Sequence, residues 1–253
     1  MAKPVAESAQ KNAPSFLGHR RILLKVSGEV LGGGDGQGFD PEQFDRLAGT
    51  LARVQKQGIQ LAVVVGGGNI FRGRERSRLG LQSQQISDDI GMLATVMNGL
   101  VLWEMLKGKG CPACVMSALE MQGLCEVYHR RHADSCLQQG MIVILVGGSG
   151  HAFFTTDTAA ALRTLELDCT LLLKGTKVDG VYDKDPMLHK DAKRYEQLSY
   201  NQIIDKELHV MDATAMTLMR GHKKSVMVFS IQEEQALDKI MQGRGRYTLI
   251  KDN

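Results

Sequence analysis

Short, strongly apolar runs, several of them ending at glycine, constrain this chain more than any other feature. Ile22-Leu23-Leu24 with Val26, Leu61 to Val65, Val115-Met116, Ile142 to Val146, Leu171-Leu172-Leu173 and Val226 to Phe229 each have the length of one strand. Apolar on both sides of the pleat, such runs belong in a sheet covered on both faces. Helical patterns between them supply the cover. Asp40 as N-cap and Pro41 at the first helical position open a helix over 41–57, which stops at Gly58. Ile90, Leu93, Val96, Met97, Leu100, Val101 and Leu102 mark a long apolar helix ending near Gly108, and 156–167 and 213–220 read as two more. Strands alternating with helices predict an α/β fold on a mainly parallel sheet. No repeat, low-complexity block or Pro/Ser-rich linker divides it, so 20–253 reads as one compact domain or two fused lobes.

Several functions are excluded at this level. With 31 basic and 28 acidic residues the net charge is +3, too balanced for a protein built to coat nucleic acid. Arg72, Arg74, Arg76 and Arg78 alternate along FRGRERSRL, a stripe read as a solvated loop softened by Glu75, with Arg72 alone functional. No apolar run reaches the ~18 residues of a membrane span. The N-terminal MAKPVAESAQKNAPSFLGHRR lacks a signal-peptide core and predicts a flexible tail over 1–19. Five scattered cysteines read as reduced thiols of a cytoplasmic protein. Cys111 and Cys114, with His129 and His132, approach zinc-finger spacing, and CPxC resembles a redox pair. A core strand at Val115-Met116 would splay those ligands, so neither zinc nor redox chemistry is expected.

Three strand ends carry the chemical signal: ILLKVSGE, VVVGGGNIFRG and ILVGGSGHAFFTTD. Ligands of open α/β sheets bind outside the carboxyl ends of the strands. Glycine there lets backbone N–H groups approach anionic oxygens with no side chain in the way. One such turn is weak evidence, but three in one sheet predict a surface lined with donors for more than one phosphate group. Lys25 sits within an apolar strand, where a charged head needs either water at an edge or an anion. Both readings stand: an edge lysine that snorkels, or a cation over transferring phosphates. The patterns GxxxxGK[ST] and GxGxxG are absent, which disfavours the P-loop and Rossmann nucleotide folds. Thr156 or Asp157 can cap the helix after the third turn, where a glycine-led helix start is also an anion site.

These residues resemble the amino-acid-kinase superfamily and, within it, the bacterial uridylate kinases. The blocks are KVSGE at 25–29, GGGNIFRG at 66–73, DIGMLATVMNGL at 89–100, FFTTDTAA at 153–160, KGTKVDGVYDKDP at 174–186 and KELHVMDATA at 206–215. The resemblance implies a three-layer α/β/α sandwich with a phosphate-acceptor lobe over 20–165 and an ATP-binding lobe over 166–253. It implies transfer of the ATP γ-phosphoryl to UMP, giving UDP and ADP, in pyrimidine nucleotide synthesis. It further implies a homohexamer, Mg²⁺ carried with ATP and not ligated directly by protein, and possible UTP inhibition; nucleic acid and membrane are not expected as partners.

Residue roles carry over position by position. Lys25, Val26, Ser27 and Gly28 resemble the first phosphate cradle, with Lys25 across the β- and γ-phosphates. Gly68 and Arg72 fall to the ATP side, and Thr176, Tyr182 and Asp185 to the adenosine pocket. Gly67 would face the UMP phosphate and Asp88 its ribose. Ser149, Gly150, His151, Ala152, Phe153, Phe154, Thr155 and Thr156 resemble the loop that wraps UMP. Lys25, Arg72, Asp157 and Lys174 form the implied catalytic set. Asp179, beside Gly180, reads as a turn residue. His151-Ala152 stands where the family usually has Asn-Pro, which puts a side-chain contact there in question. Trp103, Lys107 and Cys114 stand where many members carry the basic side chains of a GTP-activator site, so GTP activation by those contacts is expected to be weak or absent. Another amino-acid kinase, or a non-catalytic nucleotide- or anion-binding assembly, are the alternatives.

Overall fold

The structure is a computed structural model that describes residues 20–233 and 235–252, so the tail expected over 1–19 lies outside the described residues. Among the described residues nine strands form one sheet, in the order β4-β3-β5-β2-β1-β6-β8-β9-β7. They are β1 Arg21–Val26, β2 Gln60–Val65, β3 Ala113–Ser117, β4 Glu126–Val127, β5 Ile142–Val146, β6 Leu171–Thr176, β7 Gln197–Leu198, β8 Ser225–Ser230 and β9 Thr248–Ile250. Every pairing is parallel except β8 with β9. All six apolar runs are strands. The short β4, β7 and β9 carry too little apolar sequence to announce themselves.

Two helical layers cover the sheet. Ile22, Leu24 and Val26 of β1 pack into one core with α1 (Pro41–Lys56), α3 (Gln84–Gly108) and α8 (Ala236–Met241). Leu23 packs into the other with α4 (Arg130–Gln138), α5 (Thr156–Glu166), α6 (Tyr200–Asp205) and α7 (Ala213–Gly221). Alternate residues of one strand therefore serve opposite layers, giving the three-layer α/β/α sandwich. Complete burial of each such Leu or Ile contributes about 1.5–3 kcal/mol. The segments expected as lobes, 20–165 and 166–253, meet along the β1–β6 pairing.

Asp40 caps α1, its carboxylate accepting from Glu42 N at 2.9 Å and Gln43 N at 3.3 Å. The α3 helix starts earlier than its apolar face predicts, because Ser83 caps it by accepting from Ile86 N. By length and composition α3 is apolar enough to cross a membrane. Here one face lies in the core, where the buried Asn98 side chain donates to Gly66 O. The arginine stripe is not a loop: Gly73–Arg78 forms a short helix, α2, with no apolar face to predict it. Cys114 lies inside β3, and burial followed by its neighbour Cys136 pushes its thiol far up, so it stays protonated. His132 pairs with Glu126 at 2.6 Å.

Candidate active site

Strands β1 and β6 are parallel neighbours, and their register sets Lys25 opposite Lys174. After β1 the chain leads through α1 to β2 on one side, and after β6 it leads to β7 and then β8 on the other. That divergence opens a crevice at the carboxyl ends of the two strands, the usual ligand position in such sheets. Lys25 is thus central, which excludes the edge-strand reading. Both lysines share the pleat face of Leu23 and Leu172, and that face meets α5.

The first turn of α5 brings Asp157 between them. Lys25 Nζ stands 2.8 Å from Oδ1, and Lys174 Nζ donates to Oδ2 at 2.5 Å. Lys174 also donates to Val210 O at 2.5 Å. The three side chains are only 11–13% exposed. Burial pushes the Asp157 carboxyl up, but Lys25 and Lys174 together outweigh it and hold the group below its ordinary value. Burial lowers the Lys174 ammonium, against the pull of Asp157. One carboxylate therefore serves two buried ammonium groups, leaving net positive charge facing the crevice. The helix cap is Thr155, not Thr156 or Asp157: its Oγ1 accepts from Asp157 N at 3.0 Å and Thr158 N at 3.3 Å, and its own backbone is extended.

The first two glycine turns lie back to back. A Cβ on Gly28 would sit 2.5 Å from Gly68 N, and one on Gly67 would sit 2.7 Å from Ala94 Cβ and Gly91 O. Only glycine permits that approach. Beyond them opens a cleft of about 330 Å³, lined by Gly67, Gly68, Arg72, Arg76, Asp88, Thr95, Gly148, Phe154, Thr155 and Thr156 among others. Asp88 ties its two walls together, accepting from Gln84 Nε2 at 2.6 Å and from Phe153 N at 2.8 Å. Phe153 holds a positive φ of 70° there. Ser149, Gly150, His151, Ala152 and Phe153 form the loop outside this lining, with Phe153 72% exposed.

A larger cleft of about 760 Å³ opens on the β6 side, lined by Lys25, Ser27, Glu29, Lys174, Thr176, Tyr182 and Asp185 among others. Val26 points into the core. Arg72, assigned by resemblance to the ATP side with Gly68, sits on the seam. It lines the smaller cleft, donates to Gly68 O at 2.5 Å and Gly36 O at 2.6 Å, and lies 3.5 Å from Glu29 of the larger one. Lys25 and Lys174 line the larger cleft, and Thr156, the residue before Asp157, lines the smaller, so Asp157 follows the lining of one cleft in sequence and is paired with the two lysines of the other. Each cleft has hydroxyl, amide and cationic donors suited to phosphate.

Three supports were not singled out from the sequence. Asn69 and Asn98 exchange hydrogen bonds while Asn69 donates to Gly38 O and Asn98 to Gly66 O, which fixes the second glycine turn. Thr95 Oγ1 accepts from Gly147 N at 2.8 Å and steadies the third. Asp212 accepts from Thr155 Oγ1 at 2.6 Å and Thr158 Oγ1 at 2.8 Å while capping α7, so it joins the α5 start to α7. Each is a long-range polar pairing, which leaves no periodic trace in a sequence.

The family model described as the amino acid kinase family matches residues 20–230. The chain is 45% identical over 238 residues to a uridylate kinase of Shewanella amazonensis, covering 94% of this chain and 97% of that one. It is 46% identical over 234 residues to one of Hyphomonas neptunium, covering 92% and 93%. Among solved structures, UMP kinase from Bacillus anthracis matches with a TM-score of 0.89 at 34% identity, over 93% of this chain and 97% of that one. UMP kinase from Ureaplasma parvum matches with a TM-score of 0.88 at 31% identity, over 92% and 99%. With these matches spanning the sheet and both clefts, the chain belongs to the amino acid kinase family and, within it, to the uridylate kinases.

Proposed function

We propose that this protein transfers the γ-phosphoryl group of ATP to UMP, giving UDP and ADP. The observation that carries the reading is a buried Lys–Asp–Lys trio whose two lysines line one nucleotide-sized cleft and whose aspartate directly follows Thr156 in the lining of a second. ATP occupies the larger cleft, its base beside Tyr182 and Asp185 and its phosphates reaching Lys25, Ser27 and Lys174. UMP occupies the smaller, its phosphate toward Gly67 and the Thr155–Thr156 start of α5, its ribose toward Asp88.

The acceptor phosphate is already an anionic nucleophile, so no protein base is needed. Phosphoryl transfer of this type has a loose transition state whose charge lies on the equatorial oxygens. Lys25 and Lys174 stabilise that charge from a preformed, largely dehydrated position, and Arg72 adds a guanidinium at the seam. The bare peptide amides of the glycine turns hold both phosphate chains in line. Asp157 keeps the two ammonium groups together when no phosphate is present. Mg²⁺ would be carried on the phosphate oxygens of MgATP, without direct protein ligation, and would neutralise charge on the moving phosphoryl. Ser27, Glu29 and Thr176 line the larger cleft and would offer oxygen donors to the hydration shell of that hard cation.

We extend the reading to assembly and regulation. Ile86, Leu93 and Met97, each 44–49% exposed, form an outward apolar stripe on α3 that supports self-association, proposed as a homohexamer. UTP is proposed to inhibit. Activation by GTP through the usual basic contacts is not expected: Cys114 is buried in β3, and Lys107 lies 5.2 Å over the Trp103 ring. The cytoplasm, with its ATP supply, is the proposed location. A coupled assay offering ATP with UMP, CMP, aspartate or acetylglutamate tests the reaction. Turnover with UMP is expected; turnover only with an amino-acid acceptor, or none, overturns the proposal.

A further inference from the structure

One wall of the larger cleft rests on a polar network remote from the phosphates. Tyr182 lines that wall, and its hydroxyl donates to Asp179 Oδ1 at 2.5 Å. The other oxygen of Asp179 faces Arg246 Nη1 at 3.6 Å and Arg194 Nε at 3.9 Å. The Asp179 side chain is 13% exposed, so its charge depends on those guanidinium groups.

The supports are themselves fixed. Tyr182 and Arg194 pair in an antiparallel bridge, and Arg194 donates through Nη1 to Tyr247 O. Val181 N donates to Thr248 Oγ1 at 2.8 Å, and that hydroxyl donates to Tyr195 O at 2.5 Å. Gly180 lets the strands close: a Cβ there would stand 2.5 Å from Thr248 Oγ1 and 2.8 Å from Arg194 Cδ. The sequence predicts a turn role for Asp179. A turn-forming aspartate bonds its own backbone two residues on. Asp179 gives its oxygens instead to a phenol and two guanidinium groups.

We infer that Asp179 is a positioning residue for the donor nucleotide: it fixes the plane of the Tyr182 ring as the platform for the donor base, while Arg194 and Arg246 hold its charge in place. A ring already locked costs less ordering when the base arrives. The inference rests on the reading of the larger cleft as the ATP site.

Three variants test it: Asp179→Asn, Asp179→Ala and Tyr182→Phe, which keeps the ring but not its hydroxyl. ATP is varied at saturating UMP. Asp179→Ala and Tyr182→Phe should each raise KM for ATP about fivefold, the equivalent of about 1 kcal/mol for one hydrogen bond. Asp179→Asn, which retains an acceptor oxygen, should fall between them and the unaltered protein. The loss should fall on KM for ATP rather than on kcat or KM for UMP. Asp179→Ala combined with Tyr182→Phe should be no worse than the worse single change, because both remove the same bond. An ultraviolet difference titration gives a second readout. The hydrogen bond to Asp179, and then burial, raises the Tyr182 phenol above its ordinary value. Asp179→Asn should therefore let it ionise at lower pH. Multiplying effects, equal losses in kcat and both KM values, or an unmoved titration overturn the inference. Failure of the underlying reading looks different: the unaltered protein would then show no ATP-saturable formation of UDP.

Discussion

Asp157→Asn separates what the trio does for folding from what it does for phosphate. The amide keeps the size of the carboxylate but removes the anion that Lys25 and Lys174 share at 2.8 and 2.5 Å. Removing one partner of a buried ion pair costs about 3–5 kcal/mol. The lower end applies here, because Lys174, whose pKa is already lowered by burial, can release its proton. For a domain of this size each kcal/mol moves Tm by about 2–4 °C, so a fall of about 6–12 °C is expected at neutral pH. Phosphate charge can replace the lost carboxylate, so a saturating non-hydrolysable ATP analogue should raise the Tm of the variant more than that of the unaltered protein. The pH dependence has a definite sign. The folded-state pKa of Asp157 is lowered, so its contribution is complete above the unfolded value of about 3.9 and is lost as pH falls through the folded value. The two proteins should converge in that acid range. Calorimetry of both proteins across pH, with and without the analogue, reads all three effects. A Tm within about 2 °C of the unaltered protein at neutral pH, with no extra gain from the analogue, would refute the shared-anion reasoning.

Three further outcomes follow from the same geometry. Lys25→Ala should lose about 10²–10³ in kcat, the scale of one preorganised electrostatic contact, and a near-normal steady-state rate would remove Lys25 from the mechanism. Asp212→Ala strands two hydroxyl donors and uncaps α7, so it should cost about 1–3 kcal/mol, read as a lower denaturant midpoint at unchanged slope. Rates at subsaturating ATP should change little on adding GTP; several-fold activation would show that an effector site has been built from other residues.

The fold was legible where the signal was local. Apolar runs and glycines fixed the six main strands, and Asp40-Pro41 announced α1, because capping and burial act over a few residues. The α2 helix reads from sequence as a loop because GRERSR presents no apolar face. The cap of α5 lies one residue before Thr156 and two before Asp157, the caps expected from sequence, because all three side chains can cap and only the chain's path into the helix selects one. Lys25 could be flagged from its setting in an apolar strand. Its pairing with Asp157 and its register opposite Lys174 depend on β1 meeting β6 across the sheet, which local spacing does not encode. Resemblance supplied Lys174, Asp88 and the loop 149–153, which the structure ties to the smaller cleft through the hydrogen bond from Phe153 N to Asp88. Asp179 reads from sequence as a turn residue and Asp212 is not flagged at all, because the two arginines of the first and the two hydroxyl partners of the second come from distant segments.

The most direct test of the central claim is a crystal structure with UMP and a non-hydrolysable ATP analogue bound together. The account predicts the γ-phosphate between Lys25 and Lys174, and the UMP phosphate in line with it at Gly67 and the start of α5. Both ligands bound clear of the three glycine turns, or phosphates too far apart for in-line transfer, would contradict it.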